Sequence, residues 1–508
     1  LGRHTEAITS YNKAIEIQPD YAEAYYNLGI SFSYFQCHKS AIKSYLYASS
    51  IMPHNHDIYF NLGNSLVYLG QNIEAINAYN RVISLEPNYA DAHNNLGNVL
   101  DKMGRFDEAV ESIKSAIRFK PNYPEAYNNL GNVHEQLNGN FDAIKAYSKA
   151  IHLDPHIAIA YSNLAKTQEK IGRVYDAINN FKKAMILRPL YSDAYNNLGS
   201  LFDQVGDISS AIKFLLRAVK ILPQGSVAAD NLGIILYTQG RLDEAIEFLR
   251  YSKTEKNRAF LLLALLSNNQ KEEFGSTLSI VLEEGGCNAI IGSLVRKAKI
   301  KFGLVVKNSF CEHPFDYIRV SHLGPTEIFS EHFKKPVSAI LSDKLFRMRE
   351  QKLLANGVQT AGNLFDINSG VLKTAEKIIR GEIERYRASF SKSTEGFLAN
   401  WPANYKLNAW LVNMSSGGAL RPHIHENGWL SGSIYINVPK TKTTTEGNLV
   451  IRLDEELADL EEESGIQRAI DVSTGMICLF PASLYHYTTP FKSKNKRIVL
   501  AFDVVPDK

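Results

Sequence analysis

The sequence is poor in cysteine. Its 508 residues include four, Cys37, Cys287, Cys311 and Cys478, spread too widely for any CxxC motif. That spacing excludes the dense cross-linking of a small secreted domain and points to a reducing, cytoplasmic compartment. Long apolar runs are missing too. The longest, "AFLLLALL" from Ala259 to Leu266, falls far short of the roughly twenty residues that span a bilayer, so no membrane partner is expected. Charge of one sign is also absent: 56 Lys and Arg stand against 53 Asp and Glu, a net charge of +3. Nothing there calls for a nucleic-acid surface. What remains is an ordinary globular composition, 45% hydrophobic and 21% charged, long enough for two or three domains.

Proline is sparse, but it is placed by rule. Pro19, Pro53, Pro87, Pro121, Pro155, Pro189 and Pro223 follow one another at steps of 34 residues. Ala7, Ala41, Ala75, Ala109, Ala143, Ala177, Ala211 and Ala245 keep the same step. So do the triplets that begin with Asn27-Leu28-Gly29 and end with Asn231-Leu232-Gly233. One period, "NYADAHNNLGNVLDKMGRFDEAVESIKSAIRFKP", reads as a helix, a turn near Gly104, a second helix and a proline stop. The small residue after each Leu, Gly in every copy but the one with Ala165, leaves room for two helices to approach closely.

These residues resemble tetratricopeptide repeats (TPR), and the resemblance covers a half copy followed by seven fuller ones. It implies an α-solenoid over residues 1–253, whose concave surface binds an extended peptide or another protein. The recurring Asn27, Asn61, Asn95, Asn129, Asn163, Asn197 and Asn231 admit two readings. They pack the repeats, or they form a ladder of carboxamides that matches the backbone amides of a bound peptide. The second reading resembles the groove of protein O-GlcNAc transferases. From Lys253 to about Phe310 the register is lost and the helices read as degenerate caps, residues 254–310. "AEKIIRGEIERYRASF" predicts a helix within the domain that follows, 311–508.

From Lys406 the period changes. "LNAWLVNM", "LSGSIYINV", "GNLVIRL", "GMICLF" and "RIVLAFDVV" are short, apolar or alternating, and bounded by turn residues. They predict a jelly roll, with its core over 406–506. The fold class expected is therefore α+β multidomain, a TPR α-solenoid followed by a double-stranded β-helix. His423 and His425 are expected on a turn between two strands, with His486 just after another. Arg497, separated from His486 by ten intervening residues, opens the last strand and can grip a carboxylate bidentately. Tyr435 alternates onto one strand face, where its hydroxyl reaches the same anion or simply packs.

The order "HIHENGWLSGSIY … GNLVI … GMICLFPASLYH", ten residues, then "RIV" resembles the Fe(II)/2-oxoglutarate-dependent dioxygenases, especially a branch with the pattern HxHxxxxLSGxxY. The resemblance implies that His423 and His486 hold Fe(II), with His425 where the family usually has a carboxylate. It implies that Arg497 binds the distal carboxylate of the 2-oxoglutarate co-substrate, with Tyr435 beside it. Counting from His425 instead puts Asn427 at the carboxylate's place, so a three-histidine site and a two-histidine site both stay open. Val499 replaces the Ser that usually follows the arginine by two. The activity implied is hydroxylation of a polypeptide recruited by the repeats, with succinate and carbon dioxide released. The competing reading is a TPR scaffold whose jelly roll only binds. Substrate choice is expected to depend on the loops Lys440–Glu446 and Asp454–Gly465.

Overall fold

The computed structural model describes residues 2–223, 226–342, 348–349, 351–360, 362–366, 372–440, 445–454 and 466–507. Most of the two specificity loops, 441–444 and 455–465, therefore lies outside the described residues. The chain divides into two compact units, Leu1–Ile235 and Leu236–Lys508. No helix among the described residues is long and apolar enough to cross a membrane.

The first unit is a stack of helix pairs, such as Ala22–Tyr34 with His38–Ile51 and Ala90–Lys102 with Phe106–Phe119. The triplet glycines sit where the helices of a pair touch. A Cβ on Gly29, Gly63 or Gly131 would fall 2.5, 2.7 or 2.5 Å from the ring of Tyr45, Tyr79 or Tyr147. In the copy with Ala165, the facing residue in the same core cluster is Phe181, a ring without the hydroxyl.

The triplet asparagines stitch one repeat to the one before. Asn95 and Asn129 donate through Nδ2 to the Oδ1 of Asn64 and Asn94, at 3.0 and 2.9 Å. Asn163 donates to Asn128 and Asn132, each at 3.1 Å. Asn231 reaches Asn196 at 2.9 Å, and Asn61 reaches the Tyr26 hydroxyl at 3.0 Å. The Oδ1 of Asn197 accepts from Asn196 at 3.3 Å, while Asn27 is half-buried near the start of the stack.

The second unit begins with further helices, among them Glu255–Ser267, Lys271–Glu283 and Ala289–Phe302. Its strands are β1 (Arg319–His322), β2 (Met348–Arg349), β3 (Leu354–Thr360), β4 (Tyr405–His423), β5 (Leu430–Asn437), β6 (Leu449–Arg452), β7 (Gln467–Ile470), β8 (Met476–Pro481), β9 (Tyr485–Thr488) and β10 (Arg497–Pro506). They follow the order β1-β8-β5-β10-β4-β9-β6-β7, with β3 also on β4. The pairs are antiparallel.

The curl is made by one strand. β4 is 19 residues long, not the short stretch that the sequence predicts. It pairs with β10 from Tyr405 to Met414, and then with β9 at Leu420 and His423. The bend between the two ladders contains Gly417, whose φ of +77° is a conformation other residues rarely adopt. Along β10, Leu500, Phe502 and Val504 pack in the cluster that holds Ile379, Ile383 and Tyr386 of the helix Lys373–Ser389. The alternate residues, Arg497, Val499, Ala501 and Asp503, take the opposite face.

Candidate metal centre

Strand pairing, not loop proximity, brings the histidines together. His423 is the last residue of β4 and His486 lies inside β9, and the two are cross-strand partners. The expectation of two histidines on a turn thus holds for His425 alone. His425 follows on the turn that leads into β5, and its ring centroid is 5.0 Å from that of His423 and 4.7 Å from that of His486. The three rings each offer a nitrogen, and these nitrogens all lie within 4.8 Å of one another. Asn427, the alternative position, is exposed and lines a separate cavity with Asn408 and Trp429.

Each ring is oriented from behind. The Nδ1 atoms face the Arg421 carbonyl at 2.9 Å, the Asp503 carboxylate at 2.6 Å and the Leu484 carbonyl at 3.5 Å, for His423, His425 and His486 respectively. Acceptors on Nδ1 call for the proton there, which leaves the Nε2 lone pairs turned inward. The Nε2 atoms of His423 and His425 are 3.1 Å apart. Lone pairs so close repel unless a proton or a metal ion lies between them. Burial lowers the His423 pKa to about 4, with help from His425. His486 is pushed well below its ordinary value by burial and then by the other two rings. His423 therefore resists taking up a proton in that gap.

A cavity of about 310 Å³ opens over the rings. Trp410, Val412, Met414, Leu420, Val499 and Ala501 form much of its wall, with Tyr435, Ser433 and Thr488 among the polar groups. Arg497, 1% exposed, lies beside Tyr435, with its guanidinium carbon 5.3 Å from the ring centroid. Its Nη1 donates to the Gly447 carbonyl. Among the described residues its Nε and Nη2 have no hydrogen-bond partner. Burial lowers the pKa of this guanidinium, and the same burial raises that of the Tyr435 phenol. Two unpartnered donors on a buried cation are costly, and an anion would satisfy them.

Sequence reading missed two residues here. Asp503 and Ser431 stand opposite each other on β10 and β5, both against His425. Alternation along "RIVLAFDVV" carried the signal for Asp503, because it shares a face with Arg497. Ser431 needed the register of β5 on β10.

Residues 408–503 match the family described as "Putative 2OG-Fe(II) oxygenase". Residues 1–33, 63–104 and 102–138 match a TPR repeat family, and 124–157, 192–224 and 227–250 match two tetratricopeptide repeat families. No curated protein matches. Among solved structures, the chain is similar to MamA protein at 27% identity, over 33% of this chain and 91% of that one, with a TM-score of 0.30. It is similar to YrrB, described as a TPR protein with an unusual peptide-binding site, at 20% identity, over 39% and 97%, with a TM-score of 0.31. It is also similar to pilF of Pseudomonas aeruginosa at 18% identity, over 43% and 97%, with a TM-score of 0.37. The chain is a tetratricopeptide-repeat protein with a C-terminal domain of the 2OG-Fe(II) oxygenase family.

Proposed function

We propose that the domain over 311–508 is an Fe(II)- and 2-oxoglutarate-dependent hydroxylase, and that the repeats over 1–253, capped by 254–310, recruit a polypeptide for it. The observation that carries this reading is the convergence of three histidine ring nitrogens under a cavity lined by Tyr435, against whose ring packs a buried arginine with two nitrogens unpartnered among the described residues. His423, His425 and His486 would hold the iron, a donor set that suits it and leaves a face open. Arg497 would bind the distal carboxylate of 2-oxoglutarate through its free nitrogens, and Tyr435 would fix the guanidinium plane from the side. When bound, iron and 2-oxoglutarate supply the activation of dioxygen that hydroxylates an unactivated carbon. The apolar wall keeps water from the rings. Val499 offers no hydroxyl to the co-substrate, and Ser433 and Thr488 are the hydroxyls in the same wall. The repeats would raise the local concentration of substrate at the domain. The asparagine ladder, with its Nδ2 groups largely engaged between repeats, would meet a peptide through its carbonyl oxygens.

The test needs no substrate. Fe(II) and 2-oxoglutarate added anaerobically should produce the visible charge-transfer band of a chelated complex. His486→Ala and Arg497→Ala should each lose it. A folded protein that shows no band and binds no iron overturns the hydroxylase reading in favour of a binding scaffold, which the missing carboxylate ligand and Val499 favour.

A further inference from the structure

One charged group at the triad has no part in this reading. Asp503 is 6% exposed, and its Oδ1 receives hydrogen bonds from Ser431 Oγ at 2.9 Å and from His425 Nδ1 at 2.6 Å. Among the described residues no Lys or Arg pairs with it, and its hydrogen-bond partners are His425 and Ser431. A buried carboxylate needs a cation. The positive charge that a metal ion held by the triad would bring lies on the far side of the His425 ring.

The three histidines are not equivalent in this respect. His423 and His486 are backed by neutral carbonyls, and His425 alone is backed by a charge. His425 is also the residue that stands where a ligating carboxylate is usual in the dioxygenases that the sequence resembles. The aspartate is set back by one imidazole. Strand register holds it there: Ser431 and Asp503 are cross-strand partners, and the ring of Phe502 fills the space where Gly432 has no side chain. Trp410 meets the His425 ring edge-on, with centroids 5.2 Å apart.

We infer that Asp503, seated by Ser431, is a positioning residue that fixes the proton of His425 on Nδ1, aims its Nε2 at the metal, and supplies through that ring the negative charge a ligating carboxylate would bring. This rests on the reading of the triad as a metal site. Histidine ligands backed by carboxylates are a general means of orienting a ring and raising its basicity, and removing the carboxylate typically weakens metal binding about 10–100-fold.

Histidine 15N NMR of the metal-free full chain reads the tautomer directly, and anaerobic titration with Fe(II), or with Co(II) as a coloured probe, reads affinity. Wild type should carry the His425 proton on Nδ1. In Asp503→Asn the amide can donate to Nδ1, so the proton should move to Nε2 and affinity should fall about 10–100-fold. Ser431→Ala should keep the tautomer and weaken binding by a few-fold, and it carries the affinity test should Asp503→Asn not fold. An unchanged tautomer and affinity in Asp503→Asn, or unchanged affinity in Ser431→Ala where that variant must serve, overturns the inference and leaves the metal site standing. A wild-type chain that takes up neither ion overturns both.

Discussion

At the scale of single residues, the cost of the site is set by imidazoles that must stay neutral. His423 is held near pKa 4 and His486 well below its ordinary value, chiefly by burial. Well above pH 6.5 both rings are uncharged in the folded and unfolded chain and contribute no pH dependence. As pH falls from about 6.5 toward 4, the unfolded chain takes up protons that the folded site refuses. Stability of the metal-free protein should therefore drop with acidification, by on the order of 1.4 kcal/mol per pH unit for each ring. Urea unfolding at pH 7.5 and at pH 5 measures this, and His423→Gln should lose less than wild type over the same interval. An equal loss would place the sensitivity elsewhere. The sequence offered these three rings and Arg497 as candidates through the resemblance of their order and spacing to the dioxygenase motif. Asp503 and Ser431 could not be picked out in that way, because their role depends on which residues strand pairing sets opposite one another.

At the scale of elements, the two halves differ in how much of their structure is local. A repeat of 34 residues places its partners within one period, so the glycine beside Tyr45 and the proline after each pair report directly on packing. The inter-repeat bonds of the asparagines span 31 to 35 residues and follow from the same period. Replacing Asn129 by Ala removes the donor to Asn94 Oδ1, a buried acceptor. That should cost the solenoid about 1–3 kcal/mol, read as a lower denaturation midpoint with no ligand present. An unchanged midpoint would mean that the carboxamide is held for a ligand alone. The β elements were harder to read. The apolar run of β4 ends near Met414, yet the strand continues through small and polar residues to His423, because its second half is stabilised by β3 and β9 rather than by its own composition.

At the scale of the whole molecule, each of the two units has its own core, so each should unfold in its own transition. A metal ion that binds the folded site stabilises the unit that contains it, by about 2.7 kcal/mol at a hundred times Kd. Calorimetry with and without Co(II) and 2-oxoglutarate should therefore move one transition upward and leave the other in place. Equal movement of both would reveal energetic coupling between solenoid and oxygenase domain. The place of β10 has a further consequence, for biosynthesis. This strand lies between β4 and β5, yet it follows every other described strand in the chain. While a ribosome is still making it, the two neighbours present open edges to solvent and to other nascent chains. The domain would stay exposed to chaperones and to misassembly until residue 506 clears the exit tunnel, whatever the solenoid has already become.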